Sequence, residues 1–66
     1  MPFYRTESFR FSADGDAMIK GRHSLPASGR GHAVALAEGL AVPDGATHLR
    51  VFEDDAEIYR AAVRPL

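Results

Sequence analysis

Residues 32–41 read H-A-V-A-L-A-E-G-L-A, and this stretch decides the fold. Ala33, Leu36, Ala37, Leu40 and Ala41 recur at i, i+3, i+4, i+7 and i+8, which places them on one face of a helix. Alanine dominates, and alanine loses no side-chain entropy on becoming helical. Small side chains also let a helix sit close to a sheet. Ser28 is the expected N-cap, its hydroxyl accepting from an orphan amide of the first turn. Gly29 and Gly31 weaken that turn, so the start falls anywhere between residues 28 and 32. Two ends are open. Gly39 can act as a left-handed C′ residue, or the helix runs to Ala41 and stops before Pro43. The apolar face continues through Leu40 and Ala41, which favours the second.

Outward from the helix, the chain reads as strands and turns. Residues 2–12 form a strand in which Phe3, Phe9 and Phe11 share one parity and are expected to face inward, with Tyr4, Thr6, Ser8 and Arg10 on the other. Arg5 and Glu7 interrupt the inward parity. Either the first part of the strand lies outside the sheet, or a bulge shifts the register there. Residues 13–16, Ala-Asp-Gly-Asp, form a hairpin turn, because Asp-Gly accepts the positive φ of a tight reversal. Residues 17–22 return, with Met18 or Ile19 toward the core. Residues 23–31 read as a loop punctuated by Pro26, Gly29 and Gly31.

After the helix, Pro43-Asp44-Gly45 is a turn with proline pre-set for its first corner. Residues 47–53 form a strand with Leu49 and Val51 inward. Asp54-Asp55 turns the chain into a last strand, residues 57–63, with Tyr59, Ala61 and Val63 inward and Arg60 and Arg64 outward. Ile58 breaks that parity and calls for a bulge or a partner. The fold class is therefore α+β: a small ββαββ domain of two antiparallel hairpins joined by one Ala-rich helix packed on the sheet. The hairpins either share one intrachain sheet or interleave between two chains.

A chain of 66 residues is one domain. It buries only about 60% of its unfolded surface, so a homodimer that enlarges the core is expected. It has no cysteine, which excludes disulfide staples and thiolate metal sites. The longest mostly apolar run, residues 33–42, is far below the roughly 20 residues of a membrane span. No basic-then-apolar leader opens the sequence. A cytoplasmic protein with no membrane association is expected.

Net charge is −1, unevenly distributed. Residues 1–32 carry +2 and residues 33–66 carry −3. The basic half permits an anionic partner, though the imbalance is smaller than the footprint usual in nucleic-acid binders.

Residues 20–32 hold Lys20, Arg22, His23, Arg30 and His32 with no acid, and end at a helix N-terminus. Backbone amides and the helix dipole favour an anion there. The candidate anion- or nucleic-acid-binding residues are Arg10, Lys20, Arg22, Ser28, Arg30 and His32. No Walker lysine or dinucleotide fingerprint accompanies the Gly-x-Gly at 29–31. His23, His32 and His48 lack paired ligand spacing, and Asp54, Asp55 and Glu57 lack calcium-loop spacing, so no metal or other cofactor is expected. Ser24 and His23 are adjacent on a strand and point to opposite faces, so they make no nucleophile–base pair. An enzyme is not expected. The composition points to a non-catalytic protein-interaction or regulatory module with an unidentified protein partner, engaged through a sheet edge or through Ile58 and Phe52. The alternative is a dimeric DNA-binding regulator or antitoxin that uses the basic first hairpin.

Two resemblances bear on these readings. Met1-Pro2-Phe3-Tyr4, Asp14-Gly15, Gly21-Arg22-His23-Ser24-Leu25-Pro26, the Ala-rich helix and a closing hairpin resemble a family of short bacterial proteins of unknown function. That resemblance spans nearly the whole chain and implies no activity. Gly21-Arg22-His23-Ser24-Leu25-Pro26 and Leu40-Ala41-Val42-Pro43-Asp44-Gly45 are similar to motifs of the AbrB-type swapped-hairpin regulators, some of them antitoxins. This second resemblance implies an obligate dimer binding DNA through Arg10, Lys20 and Arg22. It departs from that pattern in residues 27–31, which separate the proline from the helix, and in a longer interval from Pro26 to Gly45.

Overall fold

A computed structural model describes residues 2–63. The elements are β1 (Tyr4–Phe11), β2 (Ala17–Leu25), α1 (Arg30–Gly39), β3 (His48–Glu53) and β4 (Ala56–Ala62). They form one four-stranded antiparallel sheet in the order β2-β1-β3-β4, with α1 on one face. This is the ββαββ domain expected from the sequence. Each hairpin pairs within itself, and the hairpins join where β1 meets β3, with Tyr4 opposite Glu53 and Phe9 opposite His48. The sheet is complete within a single chain.

The core lies between the sheet and the helix. Tyr4, Leu25, Leu49 and Val51 from the strands meet Ala33 and Ala37 from α1. The small helix residues permit the close approach. Leu49 and Val51 are inward as expected. The parity of β1 is the reverse of the expectation: Tyr4, Thr6 and Ser8 are buried toward the helix, while Phe3 and Phe11 are 53% and 44% exposed. Phe9 is fully buried, but on the face away from the helix, where other side chains cover it. Thr6 tolerates the core because its hydroxyl donates to the Arg50 carbonyl at 3.0 Å.

Both hairpins carry a bulge, but only the second resolves a parity problem: β1 alternates without a break, and Arg5 and Glu7 share the parity of Phe9 because that face is not the one packed on the helix. In the first, Ser8 pairs with Gly21 but Phe9 with Ile19, so the extra residue is Lys20 in β2 rather than a residue of β1. In the second, Val51 pairs with Tyr59 but Phe52 with Glu57, so Ile58 is extra and packs against the same core as Tyr59. Ile58 thus needs no outside partner. The Asp14-Gly15 turn forms with Gly15 at φ +87° and its N–H donating to the Ser12 carbonyl. The Pro43–Gly45 turn forms as well, with Gly45 at φ +88°. Asp54 takes the left-handed conformation at φ +53° in the closing turn, a region that aspartate tolerates better than most residues.

Three further expectations are corrected. The second strand continues to Leu25, which pairs with Tyr4 and is buried, so the loop begins only at Pro26. The helix N-cap is Gly29, not Ser28. The helix stops at Gly39 with Leu40 already extended, and Gly39 takes no positive φ. Leu40 is 38% exposed, so the core uses only the first half of the apolar stripe. The expected outward position of Arg64 falls outside the described residues.

Candidate functional site

The helix covers one face of the sheet and leaves the other open. Antiparallel pairing fixes what the open face presents, because residues paired across strands point the same way. One row runs across all four strands: Arg22 on β2, Glu7 on β1, Arg50 on β3 and Arg60 on β4. The row beside it holds Ser24, Arg5, Phe52 and Glu57. On the other side stand Ile19, Phe9, His48 and Ala62, followed by Ala17 and Phe11.

Glu7 is the centre of this surface. Its side chain is 7% exposed, and such a carboxylate stays charged only if it is well paired. Arg50 donates from Nε at 3.0 Å and approaches from Nη2 at 2.9 Å. Arg22 donates from Nε at 3.0 Å. Arg5 adds its charge at 3.9 Å. Three guanidiniums therefore converge on one carboxylate. Arg60 is held separately by Glu57 at 2.9 Å. The open face carries four arginines against Glu7 and Glu57, a local surplus of +2 on a chain whose net charge is −1.

Aromatic rings lie beneath and beside the cations. Arg50 and Arg60 sit over Phe9 at 4.9 and 5.5 Å, and Arg5 covers Phe52 at 4.3 Å. These are cation–π distances, and they explain how Phe9 is buried with no helix above it. His48 stacks on Phe9 at 5.5 Å. Phe11 meets both rings edge-on, at 5.3 Å from Phe9 and 5.2 Å from His48. Phe52, one of the two apolar residues expected to engage a partner, is half-buried under Arg5 and Arg50.

The six residues singled out in the sequence lie in separate places. Arg22 is in the open-face row. Alternation along β1 puts Arg10 toward the helix side, opposite Met18, and Lys20 is the bulge residue beside Gly45. Ser28, Arg30 and His32 stand together at the helix start, where they bond to their own surroundings. Arg30 makes a two-pronged pair with Glu53, at 3.1 Å from Nε and 2.8 Å from Nη2. The Tyr4 hydroxyl donates to the same carboxylate at 2.8 Å. These two donors, Arg30 first, hold the Glu53 carboxyl below its usual range, and Glu53 in turn raises the Tyr4 hydroxyl.

His32 Nδ1 accepts the Ser28 backbone N–H at 3.0 Å and lies 3.2 Å from its hydroxyl. A serine beside an imidazole resembles a nucleophile and its base. Here the imidazole lone pair is already used by a backbone amide, and both residues are exposed. The pair ties the residue before the Gly29 cap to the first turn, while the cap itself makes no side-chain hydrogen bond. Among the described residues, no group of three or more His, Cys, Asp or Glu could hold a metal ion. No helix among them is long and apolar enough to cross a membrane.

Sequence reasoning missed Arg5, Glu7, Arg50, Arg60 and Phe11 as parts of one surface. The available signal was alternation: His48-x-Arg50-x-Phe52 and Arg5-x-Glu7-x-Phe9-x-Phe11 each place charge and aromatic character on a single parity. The chain matches no family model, no curated protein and no solved structure.

Proposed function

We propose that this chain is a small non-catalytic binding module, and that its working surface is the open face of the sheet, which takes an anionic partner. The convergence of Arg5, Arg22 and Arg50 on the one carboxylate of Glu7 carries this reading. Glu7 neutralises one charge of three and fixes the guanidiniums in place, so little side-chain entropy remains to be lost on binding. Arg22 and Arg60 are 67% and 47% exposed, so each keeps N–H groups open to a ligand beside the carboxylate it already contacts. The other cation-rich place, the helix start, offers one arginine, Arg30, paired with Glu53, where the open face gathers four.

A DNA-binding dimer, the alternative attached to the AbrB-type resemblance, calls for Arg10, Lys20 and Arg22 on one surface. Alternation and the bulge put Arg10 and Lys20 on the helix side and Arg22 on the open face.

The test is titration calorimetry with inorganic polyphosphate as the probe. The Arg22→Ala/Arg60→Ala double variant is expected to lose at least about tenfold in affinity through two lost charge-assisted contacts. The Arg10→Ala/Lys20→Ala double variant keeps it. If the second pair weakens binding and the first does not, the open face is not the site.

A further inference from the structure

The occupant of this face can be narrowed, and the narrowing rests on the reading just given. We infer that the open face binds single-stranded nucleic acid, with Arg22 and Arg60 on phosphates and the exposed ring of Phe11, beside His48, as a stacking surface for a base.

Charge alone suits any polyanion, but the aromatic row does not. Phe11 is 44% exposed at the edge of an otherwise covered aromatic cluster, held edge-on by Phe9 and His48. A carboxylate or a bare phosphate gains nothing from that ring. A base gains stacking, which tolerates any sequence because every base has a π face. An antiparallel sheet face bearing aromatics beside cations is a known way of presenting unstacked bases to a protein.

Two other occupants fit less well. A second copy docked face to face would set two faces of equal positive surplus together, because an isologous contact uses the same patch on both sides. A duplex is disfavoured by width. Four strands span about 14 Å between the outer two, before side chains, which exceeds the roughly 12 Å major groove.

The experiment measures fluorescence anisotropy of labelled octauridylate and octathymidylate with the full chain. The expected Kd is micromolar to tens of micromolar at low salt, with a log–log salt slope of about −1.4 to −2 for two to three phosphate contacts. Arg22→Ala should make that slope shallower by about 0.7, and Phe11→Ala should weaken binding about tenfold while leaving the slope unchanged. Both residues are exposed, so circular dichroism should show the variants folded. A duplex of equal length and polyglutamate should bind at least tenfold more weakly.

Equal binding of the duplex or of polyglutamate, or indifference to Phe11→Ala, overturns the single-strand assignment. Failure to bind either oligonucleotide while polyphosphate still binds through Arg22 and Arg60 overturns it too, and leaves the anionic-partner reading standing. Failure to bind any of these probes removes both.

Discussion

Arg50 and Arg60 stand directly opposite each other on β3 and β4. Like charges in that position destabilise a sheet. Two devices offset the repulsion here. Each guanidinium meets a carboxylate, Arg50 the Glu7 it shares with Arg5 and Arg22, and Arg60 the adjacent Glu57, and both lie over the one ring of Phe9. The positive potential that remains is the property an anionic ligand would relieve.

Glu7 should therefore be the most costly polar residue to remove. Glu7→Ala leaves Arg50, whose side chain is only 21% exposed, without its counter-charge, and a loss on the order of 3 kcal/mol is expected. Arg22→Ala removes the more exposed partner and should cost less than about 1 kcal/mol. Urea midpoints for the two variants give the comparison, and equal losses would contradict the placement of Glu7 at the centre.

Stability should form a plateau bounded by Glu53 and the tyrosines. The Glu53 carboxyl is held below 4.5, by Arg30 first and Tyr4 second. Its contribution is complete above about pH 4.5 and is lost as pH falls through the depressed value. Tyr4 is raised above 10.0 by its hydrogen bond to Glu53, and Tyr59 is raised by its bond to Glu38. Their contributions are complete below about pH 10 and are lost as pH rises through the raised values. Glu53→Gln should lower stability at neutral pH and narrow its gap to the natural chain on acidification. Urea midpoints across pH would show this, and a gap that stayed constant would exclude the linkage.

The helix start offers a clean contrast. If Ser28 were the N-cap, Ser28→Ala would cost about 1 kcal/mol. Because the cap is Gly29 and the Ser28 backbone amide donates to His32, Ser28→Ala should cost only a few tenths. His32→Ala, which removes the one bond to the Ser28 amide, should carry the larger loss, of about 0.5–1 kcal/mol. Thermal melts of the two variants rank them.

Asp54 ties the closing turn to the N-terminal strand. Its Oδ1 accepts the Phe3 N–H at 2.9 Å, its own N–H donates to the Phe3 carbonyl, and its carbonyl accepts from Arg5. Asp54→Asn keeps both the acceptor and the tolerance for φ +53°, and should change stability by less than about 0.5 kcal/mol. Asp54→Ala loses both and should cost about 1–2 kcal/mol. Equal effects would show that neither the bond nor the conformation matters.

The sequence carried the element order because each signal was local. Helical spacing around Ala33 and Ala37, the Asp14-Gly15 turn, the Pro43–Gly45 turn and the parity break at Ile58 are all written within a few residues. The faces of β1 were harder. Phe3, Phe9 and Phe11 share a parity, and apolar parity normally marks the side packed on the core. Phe9 obeys the burial rule by a different route, covered by guanidiniums rather than by the helix, so the usual inference assigned the wrong face. The arginine row was hidden for a second reason. Arg22, Glu7, Arg50 and Arg60 adjoin only through the long-range pairing of β1 with β3 and the register left by two bulges. No local pattern encodes that pairing. The helix-start cluster was visible as composition, but Glu53, which engages Arg30, lies 23 residues away.

The most direct test is a map of backbone amide shifts during titration of the labelled chain with octauridylate. The account predicts shifts concentrated at Arg5, Glu7, Phe11, Arg22, His48, Arg50 and Arg60, with the exposed helix positions from His32 to Glu38 unmoved. Shifts concentrated on the helix and its N-terminal turn, with the arginine row silent, would contradict it.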